Sequence, residues 1–123
     1  MSSKTTLLYV DDEQLNTFIF KANFDTKYNV ITASSAIEGL EKLDENHADI
    51  NAVITDMRMP NMNGVEFVKK AKQKYGDKYY YVLSAFTYDD EIQTALNNNL
   101  IKKFFTKPFS REEIEAEMES LAS

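Results

Sequence analysis

Three consecutive acids, Asp11, Asp12 and Glu13, follow a short apolar run that ends at Val10. Another, Asp56, closes a second such run, Val53-Ile54-Thr55. Ser84, within Val82-Leu83-Ser84-Ala85, and Lys107, followed by Pro108, stand at the ends of two more. If those ends meet, the carboxylates repel one another by roughly several kcal/mol per pair at low effective dielectric, and a cation must supply the balance. Cysteine is absent and His47 is the single histidine, so the ligands on offer are hard oxygens, which point to Mg²⁺. A carboxylate, a divalent cation, an ammonium and a hydroxyl at one mouth form a set for phosphoryl transfer, chemistry that needs positioning and charge neutralisation above all. Asp56 would attack, Mg²⁺ would bridge one phosphoryl oxygen, Lys107 would pair with another and Ser84 would hydrogen-bond the third. The product is an acyl phosphate.

The elements that must hold these residues are legible as alternation. Runs of strand length appear at Leu7–Val10, Val30–Ala33, Ala52–Thr55, Tyr81–Ser84 and Lys103–Phe105. Between them lie segments with helical spacing: Leu15, Phe18, Ile19 and Ala22; Ala36, Ile37, Leu40 and Leu43; Val65, Val68, Ala71 and Tyr75. Ile92, Ala95 and Leu96 carry a fourth helix, and Ile114, Met118 and Leu121 a fifth. Ser34 or Ser35 caps the second helix, and Ser110 with Glu113 reads as a capping box for the last. Five strands alternating with five helices predict a flavodoxin-like three-layer α/β sandwich, with a parallel sheet in the order 2-1-3-4-5. In that order ligands lie outside the carboxyl ends of the first and third strands, where Asp11, Asp12 and Asp56 are.

With these residues in this order, the chain resembles the receiver domain of two-component response regulators, the family that includes the chemotaxis switch protein. The resemblance is carried by Leu7-Leu8-Tyr9-Val10-Asp11-Asp12-Glu13, by Asp56-Met57-Arg58-Met59-Pro60-Asn61-Met62-Asn63-Gly64 and by Thr106-Lys107-Pro108-Phe109. It implies that Asp56 accepts a phosphoryl group from a phosphohistidine on a histidine kinase or histidine phosphotransfer protein. It implies Asp12 as a direct Mg²⁺ ligand, Asp11 reaching the metal through water, Glu13 as a contributor to the acidic pocket and the backbone carbonyl of Arg58 as a further ligand. Lys107 and Ser84 are the lysine and hydroxyl of the reaction, Ser84 and Phe104 the switch residues, and the Lys107–Pro108 bond is cis. An output protein, of unknown identity, is expected on the face of the fourth helix, fifth strand and fifth helix. Such a chain is a switch, not an enzyme; it catalyses only its own phosphorylation and slow dephosphorylation.

Some positions depart from the family pattern. Asn97-Asn98-Asn99-Leu100 replaces the usual Gly-Ala before the fifth strand, and asparagine tolerates the left-handed backbone that glycine would supply. Ser84 stands for the commoner threonine. Arg58 and Phe86, both bulky, flank the pocket where they are expected to hinder the hydrolytic water and lengthen the life of the acyl phosphate. Read blandly, Asp11 and Asp12 are helix N-caps, Ser84 caps a loop, Phe104 is core, His47 is surface, and Lys69, Lys70, Lys72 and Lys74 are a solvated helix face. Glu112, Glu113, Glu115, Glu117 and Glu119 crowd the last helix; solvation accounts for them, and an acidic docking face beside Lys102 and Lys103 is the sharper alternative.

The 123 residues read as one domain spanning 1–123 with no output domain, no signal peptide and no membrane span. The formal net charge of −6 argues against direct contact with nucleic acid, and the absence of cysteine fits the cytoplasm. A flavodoxin would need a Ser/Thr/Gly-rich phosphate cradle where this chain has acids. A haloacid-dehalogenase phosphatase would need an aspartate where Arg58 stands. The remaining alternative is a receiver-like interaction module that is not phosphorylated in vivo.

Overall fold

A computed structural model describes residues 4–76, 78–85 and 89–122. Strands β1 (Thr6–Val10), β2 (Asn29–Ala33), β3 (Ile50–Asp56), β4 (Tyr79–Ser84) and β5 (Lys103–Thr106) alternate with helices α1 (Gln14–Phe24), α2 (Ala36–Asn46), α3 (Gly64–Tyr75), α4 (Asp90–Asn97) and α5 (Arg111–Ala122). All strand pairs are parallel and the order is β2-β1-β3-β4-β5, the flavodoxin-like arrangement expected from the alternation. The observed strands run one or two residues past most of the apolar runs, because backbone pairing continues where side-chain hydrophobicity stops. Among the described residues no helix is long and apolar enough to cross a membrane.

The order of the strands decides which helix covers which face. The chain steps one way from β1 to β2 and the other way from β2 through β5, so right-handed crossovers put α1 on one side and α2, α3 and α4 on the other. Alternation along each strand then divides the core. Leu8, Val10, Val53, Tyr80 and Val82 pack beneath α2, α3 and α4. Leu7, Tyr9, Ile54, Tyr81, Leu83 and Phe105 pack beneath α1 and α5, with Phe20, Phe24, Ile114 and Met118. Each large side chain buried this way contributes roughly 1.5–3 kcal/mol.

The first helix lies the other way round from its predicted stripe. Leu15, Phe18 and Ile19 are 66%, 71% and 40% exposed, and Ala22 is exposed too. The buried face is Phe20 and Phe24, which meet Phe109 at centroid distances of 5.6 and 5.5 Å. Apolar residues occupy both faces of α1, and the aromatic pair four residues apart won the contact with the sheet. Ile37, also read as core, is 59% exposed, while Gly39 packs against Phe67 and Val10 in its place. The remaining stripes face inward as expected, with Tyr75, Leu96 and Leu121 only partly covered.

Local chemistry ends the helices where the sequence implied. Ser35, of the two candidate serines, caps α2 by accepting from Glu38 N at 3.0 Å, and Ser110 Oγ accepts from Glu113 N at 3.2 Å. The Glu113 carboxylate reaches Lys103 at 3.5 Å. Asn99 adopts a left-handed conformation, with φ of 58°, as the asparagine-rich turn before β5 predicted. Lys72 and Lys74 bind Asn99 O and Asp44, and exposed His47 stacks on Tyr75. On α5, Glu115 pairs with Lys27 and Glu117 with Lys102, so these acids are neither simply solvated nor unengaged. Glu117 also accepts from the buried Tyr81 hydroxyl at 3.0 Å and so pins α5 to the sheet.

Candidate functional site

The carboxyl ends of β1 and β3 are neighbours, with Val10 paired to Thr55, so the residues that follow them share one crevice. Asp11, Asp12 and Asp56 each offer a carboxylate oxygen there, all within 4.8 Å of one another. Asp11 is fully buried, Asp56 is 6% exposed and Asp12 opens to solvent. From across the mouth Lys107 Nζ lies 2.9 Å from Asp56 Oδ1 and 3.3 Å from Asp11 Oδ2. Lys107 is held by the Lys107–Pro108 peptide, which is cis, and by its backbone N–H, which donates to Ser84 O at 2.8 Å.

Charge at this mouth is unbalanced. Three aspartates meet a single lysine at this mouth, with Asp11 and Asp56 buried and Asp12 open to solvent. Burial pushes the Asp56 carboxyl above its ordinary range; the Lys107 hydrogen bond opposes this, and the charges of Asp11 and Asp12 reinforce it. Burial pulls the Lys107 ammonium down, but Asp56 and Asp11 together more than reverse that and hold it above its ordinary value. The donor set is all carboxylate, with no histidine among the grouped residues, which fits a hard divalent cation that takes oxygen ligands.

Asp11 is held by more than the lysine. Its Oδ1 accepts from Glu13 N at 3.0 Å, and its Oδ2 accepts from Tyr9 Oη at 2.8 Å and Asn16 Nδ2 at 3.2 Å. Glu13 therefore contributes a backbone donor, and its side chain is not grouped with the three aspartates. Tyr9 and Asn16 went unnoticed in the sequence. Tyr9 was legible in principle, since residues two apart in a strand project to one side. Gly64 was also missed as a site residue: it packs under the backbone of Asp56 and Met57, and its N–H donates to Met57 O at 2.8 Å. Asn63 caps α3 in a box with Glu66 and reaches Glu91 on α4 at 3.0 Å, tying the loop after β3 to the neighbouring helix.

Of the other residues singled out, Ser84 is buried at the end of β4, one position beyond Leu83, which pairs with Asp56. Arg58 is exposed and lines a groove with Met57, Met59, Asn63, Asp89 and Glu91. Phe104 is half-buried in β5 and packs against the core beneath α2, α3 and α4. Phe86 lies outside the described residues.

Comparison with known proteins agrees with this geometry. The family described as the response regulator receiver domain matches residues 7–119. A chemotaxis protein CheY homolog of Campylobacter jejuni is 37% identical over 117 residues, covering 89% of this chain and 88% of that protein. The hydrogenase transcriptional regulatory protein HoxA of Cupriavidus necator is 31% identical over 110 residues, covering 89% of this chain but only 22% of its own length. Among solved structures, chemotaxis protein CheY4 of Vibrio cholerae superposes with a TM-score of 0.85 at 25% identity, over 97% of this chain and 99% of that one.

Proposed function

The chain belongs to the response-regulator receiver family of two-component systems, and from that premise we propose that its acidic mouth accepts a phosphoryl group on Asp56 from a phosphohistidine donor. The observation that carries this reading is Lys107 Nζ, 2.9 Å from Asp56 in a crevice with two further aspartates. An Asp56 carboxylate oxygen attacks phosphorus; the O–P bond forms as the P–N bond of phosphohistidine breaks and the imidazole leaves with the electron pair. Asp12, Asp56 and the carbonyl of Arg58 would hold Mg²⁺, with Asp11 acting through water. The ion supplies neutralisation of the phosphoryl oxygens. Lys107 pairs with another of those oxygens, and the buried Ser84 hydroxyl donates to the third.

Phosphorylation then adds charge and acceptor oxygens at the buried end of β3. Ser84 is drawn toward them, Phe104 turns into the space released, and the surface of α4, β5 and α5 changes shape for an output protein. Lys103 and Lys102 already hold Glu113 and Glu117, so a basic partner on that face competes with internal ion pairs. Incubation with acetyl phosphate and Mg²⁺ tests the chemistry. The expected result is a gain of one phosphoryl group by intact mass, released by hydroxylamine and absent when Mg²⁺ is chelated. An unchanged mass under those conditions overturns the reading and leaves an interaction module that is not phosphorylated.

The exposed apolar face of α1 belongs to the same reading. Leu15, Phe18 and Ile19 flank Asn16, whose amide touches Asp11, so the patch is continuous with the rim of the mouth. A donor protein that brings its phosphohistidine to Asp56 covers this helix. Exposed apolar patches of this kind mark interaction surfaces. Leu15→Ala combined with Phe18→Ala is expected to slow phosphotransfer from a phosphohistidine-bearing phosphotransfer protein about tenfold or more. The rate from acetyl phosphate should be unchanged. Equal slowing with both donors would show that the patch serves the fold and not the encounter.

A further inference from the structure

The Tyr9 hydroxyl is a buried polar group of the acidic mouth to which the proposed chemistry gives no part. The side chain is 1% exposed, and its ring lies parallel to that of Phe20, with centroids 4.1 Å apart and planes within 1°. The hydroxyl therefore has little freedom to seek another acceptor. Burial and the adjacent Asp11 push its pKa far up, so it remains a donor throughout the physiological range.

Its acceptor is crowded. A carboxylate oxygen has two lone-pair directions, yet Asp11 Oδ2 faces Tyr9 Oη at 2.8 Å, Asn16 Nδ2 at 3.2 Å and Lys107 Nζ at 3.3 Å. Oδ1 faces only Glu13 N among the described contacts, at 3.0 Å. The Tyr9 bond is the shortest of these and the only one from a group fixed by aromatic packing. We propose that Tyr9 is a positioning residue: it locks Oδ2 of Asp11 toward the protein, draws off part of its charge, and thereby sets how strongly the mouth attracts a divalent cation. This rests on the Mg²⁺ reading above.

The direction of the effect follows from what the bond relieves. Asp11 is fully buried beside two other carboxylates, and the 2.8 Å bond from Tyr9 offsets part of the carboxylate repulsion there without a metal. Without the hydroxyl, the metal-free mouth holds a more poorly compensated anion, and a dication relieves more repulsion when it binds. The hydroxyl thus weakens metal binding while it stabilises the empty site.

Tyr9→Phe keeps the ring against Phe20 and removes only the donor. Calorimetric titration with Mg²⁺ alone is expected to show the variant binding about tenfold tighter than wild type, the low end of what a hydrogen bond to a charged group carries. In urea, the variant should unfold at a lower midpoint than wild type without metal and match it at saturating Mg²⁺. Asn16→Ala, which removes a longer donor from the same oxygen at a half-buried helix position, should shift affinity the same way by less, and it serves if Tyr9→Phe does not fold. Unchanged or weaker Mg²⁺ binding in whichever of these variants folds, with wild type binding normally, overturns the role given to Tyr9 and leaves the metal site intact. Failure of wild type to bind Mg²⁺ overturns the functional reading itself, and the Tyr9 role with it.

Discussion

Asp56→Asn is expected to abolish phosphoryl uptake and, at the same time, to make the metal-free protein more stable at neutral pH. The first effect is the loss of the nucleophile and should be complete by intact mass. The second follows from the electrostatics. Burial and two neighbouring aspartates hold the Asp56 carboxyl above its ordinary value in spite of Lys107, so the folded state favours the protonated form. For an acid shifted in that direction, the stabilising contribution is fully present below the unfolded value and is lost as pH rises through the folded one. The amide has no charge to lose. Unfolding in urea without Mg²⁺ should therefore show the variant pulling ahead as pH rises through that window, then holding a constant lead. Repulsion of about 4 kcal/mol for charges 4 Å apart at an effective dielectric of about 20, set against the lost lysine contact, leaves a gain of roughly 1–2 kcal/mol. Adding Mg²⁺ should stabilise wild type and narrow or reverse the difference. An asparagine variant less stable than wild type at neutral pH, with the metal chelated, would contradict this account of the mouth.

Gly64→Ala is expected to be as damaging to the scaffold as Asp56→Asn is to the chemistry. A methyl group on Gly64 would stand 2.4 Å from Asp56 O, 3.1 Å from Met57 Cα and 3.2 Å from Asp56 C. All three are backbone atoms, so no flexible side-chain end can swing aside. Alanine at an ordinary helix position is better than glycine by about 1 kcal/mol, so propensity alone predicts a gain. The clash should reverse that and cost about 3 kcal/mol, the upper part of the range for overpacking. Relief of the contact moves the segment that carries the acceptor, so phosphorylation should fall further than the folded fraction. Gly76→Ala separates backbone strain from contact: nothing lies within 4 Å of its added methyl, and its φ of 75° with ψ of −144° costs about 1–3 kcal/mol by itself. Equal stability of the Gly64 variant and wild type in urea would remove the close approach from the explanation.

Much of the site was legible because topology did the reading. Asp11, Asp12, Asp56, Ser84 and Lys107 each stand at the carboxyl end of an apolar run, and a parallel sheet brings such ends to one edge. The left-handed Asn99 was likewise readable from residue type, while the cis peptide before Pro108 was expected only from the family resemblance. What stayed hidden depended on three-dimensional packing. Helical period identifies a stripe but does not say which of two stripes faces the sheet, and α1 carries both Leu15-Phe18-Ile19 and Phe20-Phe24. The glutamates of α5 were placed beside Lys102 and Lys103 but not paired with them, and the partner of Glu115, Lys27, lies far off in sequence between α1 and β2. Tyr9 read as one more apolar strand residue, because a phenol looks like core until its acceptor is in view.

The bond from Lys107 to Asp11 joins positions 96 residues apart. During translation the acids of β1 leave the ribosome long before their counter-ion is made. A nascent chain halted before β5 carries the acids of β1 and β3 without the ammonium that pairs with them in the folded domain. On the proposed reading, acceptance of a phosphoryl group therefore requires the domain to close from its first strand to the turn after its last.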